Sequence, residues 1–162
     1  MSEPRPQTDS QTLQFQAALV ELSRTASAGL DDALAQAVAV AAEALEVARV
    51  SIWLFNDAHT ELRCLSLYDR ARDVHESGAV LDVNRYPRYF QTLEESRIIA
   101  ANDAATDPAT SEFAIGYLDV LNITAMLDVP IRLEGRVAGV LCNETPDRPA
   151  PGEPTNRILQ AR

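Results

Sequence analysis

The sequence predicts an α+β domain built on a central antiparallel β-sheet. Two stretches, residues 49–69 and 124–144, place β-branched and aromatic residues on either side of short turns, which is the signature of β-hairpins. An Ala- and Leu-rich segment with helical spacing precedes both hairpins, and two short helical stretches lie between them. Helices, hairpin, strand, short helices and hairpin, in that order, specify one antiparallel sheet with helices packed against it.

Residues 1–10, MSEPRPQTDS, lack periodicity and read as a flexible lead-in. From Gln11 to Val47, two sets of residues fall at helical spacing: Leu13, Ala17, Val20 and Arg24, then Leu34, Val38, Ala41 and Leu45. Two amphipathic helices follow. Between them, SAGLDD offers Asp31 or Asp32 as the cap of the second helix. RVSIWLF, the turn NDAH and the returning TELRCLSLYD make the first hairpin, and ESGAVLDV adds a weaker third strand. RYPRYFQTLEESR forms a short helix with Tyr86, Tyr89, Phe90 and Leu93 on one side, followed by the apolar IIAA. In DPATSEFAIGYLDVL, Asp107 is placed as an N-cap with Pro108 at the first helical position, where a missing N–H costs nothing. That helix sets Phe113 and Tyr117 one turn apart. Asp107 and Glu112 read as helix-start residues. The last 18 residues, 145–162, hold four of the nine prolines without periodicity and read as a disordered tail, leaving 11–144 as the single domain.

The formal net charge is -10, with 24 acidic residues against 14 basic ones, all of them Arg. A positive patch for nucleic acid or anionic lipid is therefore not expected. The lack of Lys removes Schiff-base chemistry and the lysine of a phosphate-binding loop. No apolar run approaches the roughly 18 residues that span a bilayer, and the polar start has no signal-peptide core, so a cytoplasmic location is expected. Cys64 and Cys142 are too isolated in sequence for a disulfide framework or a CxxC knuckle. His59 falls in a hairpin turn and His75 in a loop, neither with a second ligand at metal spacing.

The most patterned stretch is TAMLDVPIRLEGRVAGVLCNE, residues 124–144. A two-residue turn at Glu134-Gly135 sets Leu133 opposite Arg136, Ile131 opposite Ala138, Val129 opposite Val140 and Leu127 opposite Cys142. Cys142 then joins an apolar face as ordinary core. Met126, Asp128 and Pro130 share the other face with Asn143, Leu141 and Gly139, since side chains alternate with a period of two. Asp128 there is a polar anchor beside a Gly that leaves room above the sheet. Glu144 ends the strand within reach of solvent or tail.

ARVSIWLFNDAHTELRCLSLYD, ESGAVLDVNRYPRYFQTLEESRIIAANDAATDPATSEF, GYLDVLNITAMLDVPI and GRVAGVLCNE, with the leading helices, resemble a GAF domain. This is the sensory module of cyclic-nucleotide phosphodiesterases, histidine kinases, diguanylate cyclases and phytochromes. The likeness spans residues 11 to 144 and is to the bacterial branch found N-terminal to histidine kinase or diguanylate cyclase modules. It implies helices on one sheet face and, on the other, a short-helix lid over a small-molecule pocket. Family ligands include cyclic nucleotides, bilins, haem and small metabolites, so the fold does not choose among them. Where the family continues through a Trp- and Glu-containing segment into a long C-terminal helix, this chain has the proline-rich tail, and its only Trp is Trp53.

On that resemblance the ligand-binding candidates are Asp128 and Met126 on the sheet and Tyr86, Tyr89, Phe90, Phe113 and Tyr117 in the lid. Their plain alternatives are an Asp paired with a nearby Arg and aromatics that only fill the core. The expected function is non-catalytic signal transduction: an unidentified small molecule, with no resident cofactor or metal, changes lid packing and the contacts of a homodimer formed through the N-terminal helices. A histidine kinase or cyclase would act as partner in trans. Two other readings are a methionine-sulfoxide-reductase-like redox enzyme using Cys64 and Cys142, and a vestigial interaction module without ligand. Both thiols are expected to be buried and inert, and no Cys falls in the lid for covalent bilin attachment.

Overall fold

The computed structural model describes residues 29–145. The expected lead-in, first helix and proline-rich tail beyond Thr145 lie outside the described residues. Helix α1 (Leu30–Leu45) is followed by β1 (Arg49–Phe55), β2 (Glu61–Asp69), β3 (Val74–Glu76), β4 (Val80–Asp82), helix α2 (Pro87–Glu95), β5 (Ile99–Ala101), β6 (Ala125–Leu133) and β7 (Arg136–Thr145). All strand pairs are antiparallel, in the order β3-β2-β1-β7-β6-β5, with β4 also pairing with β2. The α+β class read from the sequence is the one observed. The single weak strand expected at residues 76–83 is replaced by two short edge strands, and His75 lies in β3 rather than in a loop.

Of the stripe predicted for helix α1, Val38 is buried and Ala41 and Leu45 are partly buried, with Ala42 added to it. Val38 and Ala42 are buried against Val50, Tyr68 and the partly buried Ile52 and Leu141 on one side of the sheet. Its N-cap is Gly29, and no side chain caps it; Asp31 and Asp32 fall in the first turn instead of at the cap. There their charges still complement the positive end of the helix. Glu46, left-handed at φ 54, ends the helix, and the Val47 N–H returns to Ala42 O at 3.1 Å.

The larger core lies on the opposite sheet face. Trp53, Leu62, Cys64, Leu67, Met126, Val140 and Cys142 pack there under Tyr89, Phe90 and Leu93 of α2 and under Phe113 and Leu118 of the connection 102–124. That connection is not one helix. It comprises a 3-10 turn (Ser111–Phe113), a single wide turn (Ala114–Leu118) and a short α turn (Asp119–Leu121), broken by extended Ile115 and left-handed Gly116.

A β-bulge changes the second hairpin. Leu133 pairs with Arg136 as expected, but the register slips between Ile131 and Arg132, so that Ile131 faces Gly139 and Ala138 is the extra residue. Every pair beyond shifts by one. Val129 faces Leu141, Asp128 faces Cys142, Leu127 faces Asn143 and Met126 faces Glu144. Gly139 lies next to the extra residue, where β1 comes close. A Cβ there would stand 2.1 Å from the Trp53 carbonyl oxygen and 2.6 Å from Leu54 Cδ2, so the Gly makes room for β1 and not for a ligand above Asp128.

Candidate ligand site

The bulge gathers the hairpin's polar residues on one face. Across the sheet, one row reads Asp69, Arg49, Glu144, Met126, and the next Leu67, Ser51, Cys142, Asp128. Neighbours in such rows stand about 5 Å apart. Cys142 therefore belongs with Asp128 and not with an opposite apolar face. Glu144 is 2% exposed, not solvated at a strand end: Tyr117 covers it from above, and Thr124 pairs with Thr145 beside it.

Both buried carboxylates of the hairpin have a partner from the lid. The Tyr89 hydroxyl donates to Asp128 Oδ2 at 2.6 Å, and the Tyr117 hydroxyl donates to Glu144 Oε1 at 2.7 Å. Arg49 Nε lies 3.3 Å from Glu144 Oε2, both side chains buried. Asp69, at the outer end of the row, receives Arg72 Nε at 2.8 Å. The Trp53 indole donates to Ser51 Oγ at 2.8 Å, which lets the ring sit in the core. Asp128 Oδ1 and Glu144 Oε2 accept no hydrogen bond of good geometry.

Burial dominates the acid–base behaviour. Desolvation raises the Asp128 carboxyl to about 7, against the lowering effect of the Tyr89 hydroxyl, and the nearby Glu144 charge raises it further. Glu144 is also raised by desolvation, with Arg49 and Tyr117 opposing. The Cys142 thiol is pushed well up by burial and by Asp128, and burial lifts Cys64 to about 11. Neither thiol is an activated nucleophile. They sit in β7 and β2 with β1 between them, about 10 Å apart by strand spacing, beyond disulfide reach.

Most of the sequence candidates converge on one cavity. Its walls include Tyr89, Phe113, Tyr117, Met126, Cys142, Glu144 and Trp53, and its volume is about 10 Å³. That holds about one water molecule. Asp128 is fully buried just beneath Tyr89. Tyr86 forms an outer layer, its ring stacked on Phe113 at 4.3 Å. Phe90, also buried, packs beside the cavity against Phe55, with ring centroids 5.7 Å apart, and borders a separate surface groove of about 380 Å³. Glu144 and Cys142 were not among the sequence candidates because their face depends on the bulge.

Glu112 ties the two covering segments together. Its carboxylate accepts the Arg88 and Tyr89 backbone N–H groups at 3.2 and 2.9 Å. Glu112 thus caps the start of α2 rather than its own helix, occupying orphan donors and the positive helix end. Asp107 does begin its local turn, accepting the Ala109 N–H at 2.8 Å.

The model of one protein family, described as the GAF domain, matches residues 29–159. No curated protein matches the chain. Solved structures similar to it include the phycocyanobilin-bound GAF domain from a cyanobacterial phytochrome, with 16% identity and TM-score 0.68, covering 99% of this chain and 90% of that one. The GAF domain from Acinetobacter phosphoenolpyruvate-protein phosphotransferase has 16% identity and TM-score 0.64, covering 91% of this chain and 80% of that one. A segment of a methyl-accepting chemotaxis protein has 19% identity and TM-score 0.64, covering 83% of this chain and 85% of that one. At these identities the likeness is one of fold. Among the described residues no helix is long and apolar enough to cross a membrane.

Proposed function

The chain belongs to the GAF domain family, and on that premise we propose that it is a non-catalytic sensor whose small-molecule ligand binds between the sheet and a lid made of α2 and residues 111–121. The family is one of small-molecule and chromophore-binding signalling domains. The observation that carries the reading is the pair of fully buried carboxylates, Asp128 and Glu144, each held by a tyrosine hydroxyl from a different lid segment. A core without a polar role is served better by apolar side chains, because a buried carboxylate is costly. A ligand that displaces one tyrosine exchanges a lid contact for its own, which gives it different affinities for the closed and open lid.

The ligand contacts proposed are Asp128, Met126, Tyr89, Phe113 and Tyr117, with Tyr86 and Phe90 as the outer lid layer. Residues 11–144 form the sensory unit in this reading. Output passes through a homodimer of the N-terminal helices, in the cytoplasm, to a histidine kinase or cyclase acting in trans. The Ala-rich composition of residues 11–47 supports that pairing, since small side chains allow close helix approach.

A thermal-shift screen of nucleotides and metabolites on the wild type and Asp128→Ala tests this, because a ligand specific to the native state raises the unfolding midpoint. At least one compound is expected to stabilise the wild type and to lose most of that effect on the variant. No stabilisation by any compound at high concentration contradicts the reading.

A further inference from the structure

We infer that the site, if it is the sensor pocket proposed above, takes a small organic cation bearing N–H donors, such as an amine or amidine on a compact apolar body. The sheet beneath the lid carries three buried acidic residues, Glu144 in the cavity wall and Asp69 and Asp128 in the rows beside it, against one buried cation, Arg49. Asp69 is neutralised from the rim by Arg72, whose own side chain is 53% exposed. Arg49 stands between Asp69 and Glu144 in the same cross-strand row. That leaves Asp128 with no cation in its row; the Tyr89 hydroxyl, the Cys142 thiol and the Asn143 N–H, all neutral, are what approach it.

Hydrogen-bond supply points the same way. Asp128 Oδ1 and Glu144 Oε2 are buried acceptors without a hydrogen bond of good geometry. Arg49 Nε, the buried side-chain donor in the same condition, already faces Glu144 at 3.3 Å. The Tyr89 and Tyr117 hydroxyl protons are committed to the two carboxylates. What the tyrosines have left for a ligand is oxygen lone pairs. A ligand bringing donors satisfies these groups, and one bringing an anion meets carboxylates in a low-dielectric site.

The walls suit the same ligand. Trp53, Tyr89, Phe113 and Tyr117 surround the cavity together with Glu144. Their ring faces are negative and attract organic cations. Entry needs more than the present 10 Å³. The break at extended Ile115 and left-handed Gly116 (φ 88) directly precedes Tyr117. Rotation there lifts the phenol from Glu144, and the ligand's N–H group takes over its place.

Three matched probes separate the charges: benzamidine, benzamide and benzoate, titrated at about pH 8, above the Asp128 value of about 7, against the full chain while Trp53 emission and the unfolding midpoint are followed. Trp53 is the only tryptophan and lines the cavity, so its emission reports occupancy there. Benzamidine is expected to change the emission saturably and raise the midpoint, with benzamide at least about tenfold weaker and benzoate without effect. Glu144→Gln and Asp128→Asn, each checked for native circular dichroism, are expected to weaken benzamidine at least about tenfold. Benzoate binding as tightly as benzamidine, or benzamidine binding unaltered in whichever variants fold, overturns the inference. If a metabolite from the screen moves Trp53 emission while benzamidine does not, the cation assignment falls and the sensor reading stands. If neither the screen nor the probes move it, both fall.

Discussion

The Tyr89 hydroxyl of α2 and the Asp128 carboxylate of β6 meet at 2.6 Å in the fully buried core, 39 residues apart in sequence. The bond fastens one lid segment to the sheet floor. Tyr89→Phe removes the donor and leaves the carboxyl with no side-chain hydrogen bond from the lid. The expected cost is about 1–3 kcal/mol of stability, read as a lower urea midpoint with an unchanged slope. An unchanged midpoint contradicts a structural role for the bond.

Asp128 also sets a pH dependence. Its folded-state carboxyl is raised from 3.8 to about 7, so between those values the folded state holds a proton that the unfolded chain has released. Stability therefore falls as pH rises from about 4 to about 7, by up to about 1.4 kcal/mol per pH unit from this group. Glu144, also raised, contributes with the same sign. Denaturation of wild type and Asp128→Asn across that window is expected to show a flatter profile in the variant. Parallel profiles contradict the assignment.

Gly139→Ala tests the close approach of β1 to β7. The added methyl meets the Trp53 carbonyl and Leu54, so β1 must part from β7. Overpacking of this kind costs about 1–3 kcal/mol, and a shift in Trp53 emission is expected with it. A stable variant with native emission shows that the sheet accommodates the group.

The hairpin shows how far local pattern reaches. Its strands, turn and the burial of Met126 and Asp128 were legible, because alternation and Glu134-Gly135 are local signals. The face of Cys142 and Glu144 was not. Pairing two strands by turn type alone omits the third strand, and it is the approach of β1 to Gly139 that accompanies the slip. The Tyr89 and Tyr117 partners of the carboxylates were equally invisible, since 39 and 27 residues separate them. The lid aromatics were legible as a group from helical spacing, but Phe90 packs against Phe55 instead of the cavity because it lies one residue on from Tyr89, about 100° around α2.

Glu112 offers a test of the lid's coupling. Glu112→Ala removes the acceptor shared by the Arg88 and Tyr89 N–H groups. A loss of about 1 kcal/mol is expected, together with faster amide hydrogen exchange at the start of α2. Exchange unchanged at Arg88 and Tyr89 contradicts the capping role.

The central claim is that ligand enters between sheet and lid. Amide hydrogen exchange, compared with and without whichever compound most raises the unfolding midpoint, tests it most directly. The expected result is altered protection concentrated in residues 87–95 and 111–121 and in the facing ends of β6 and β7. Changes confined to α1 or to the groove beside Phe55 and His59, with the lid unaffected, contradict it.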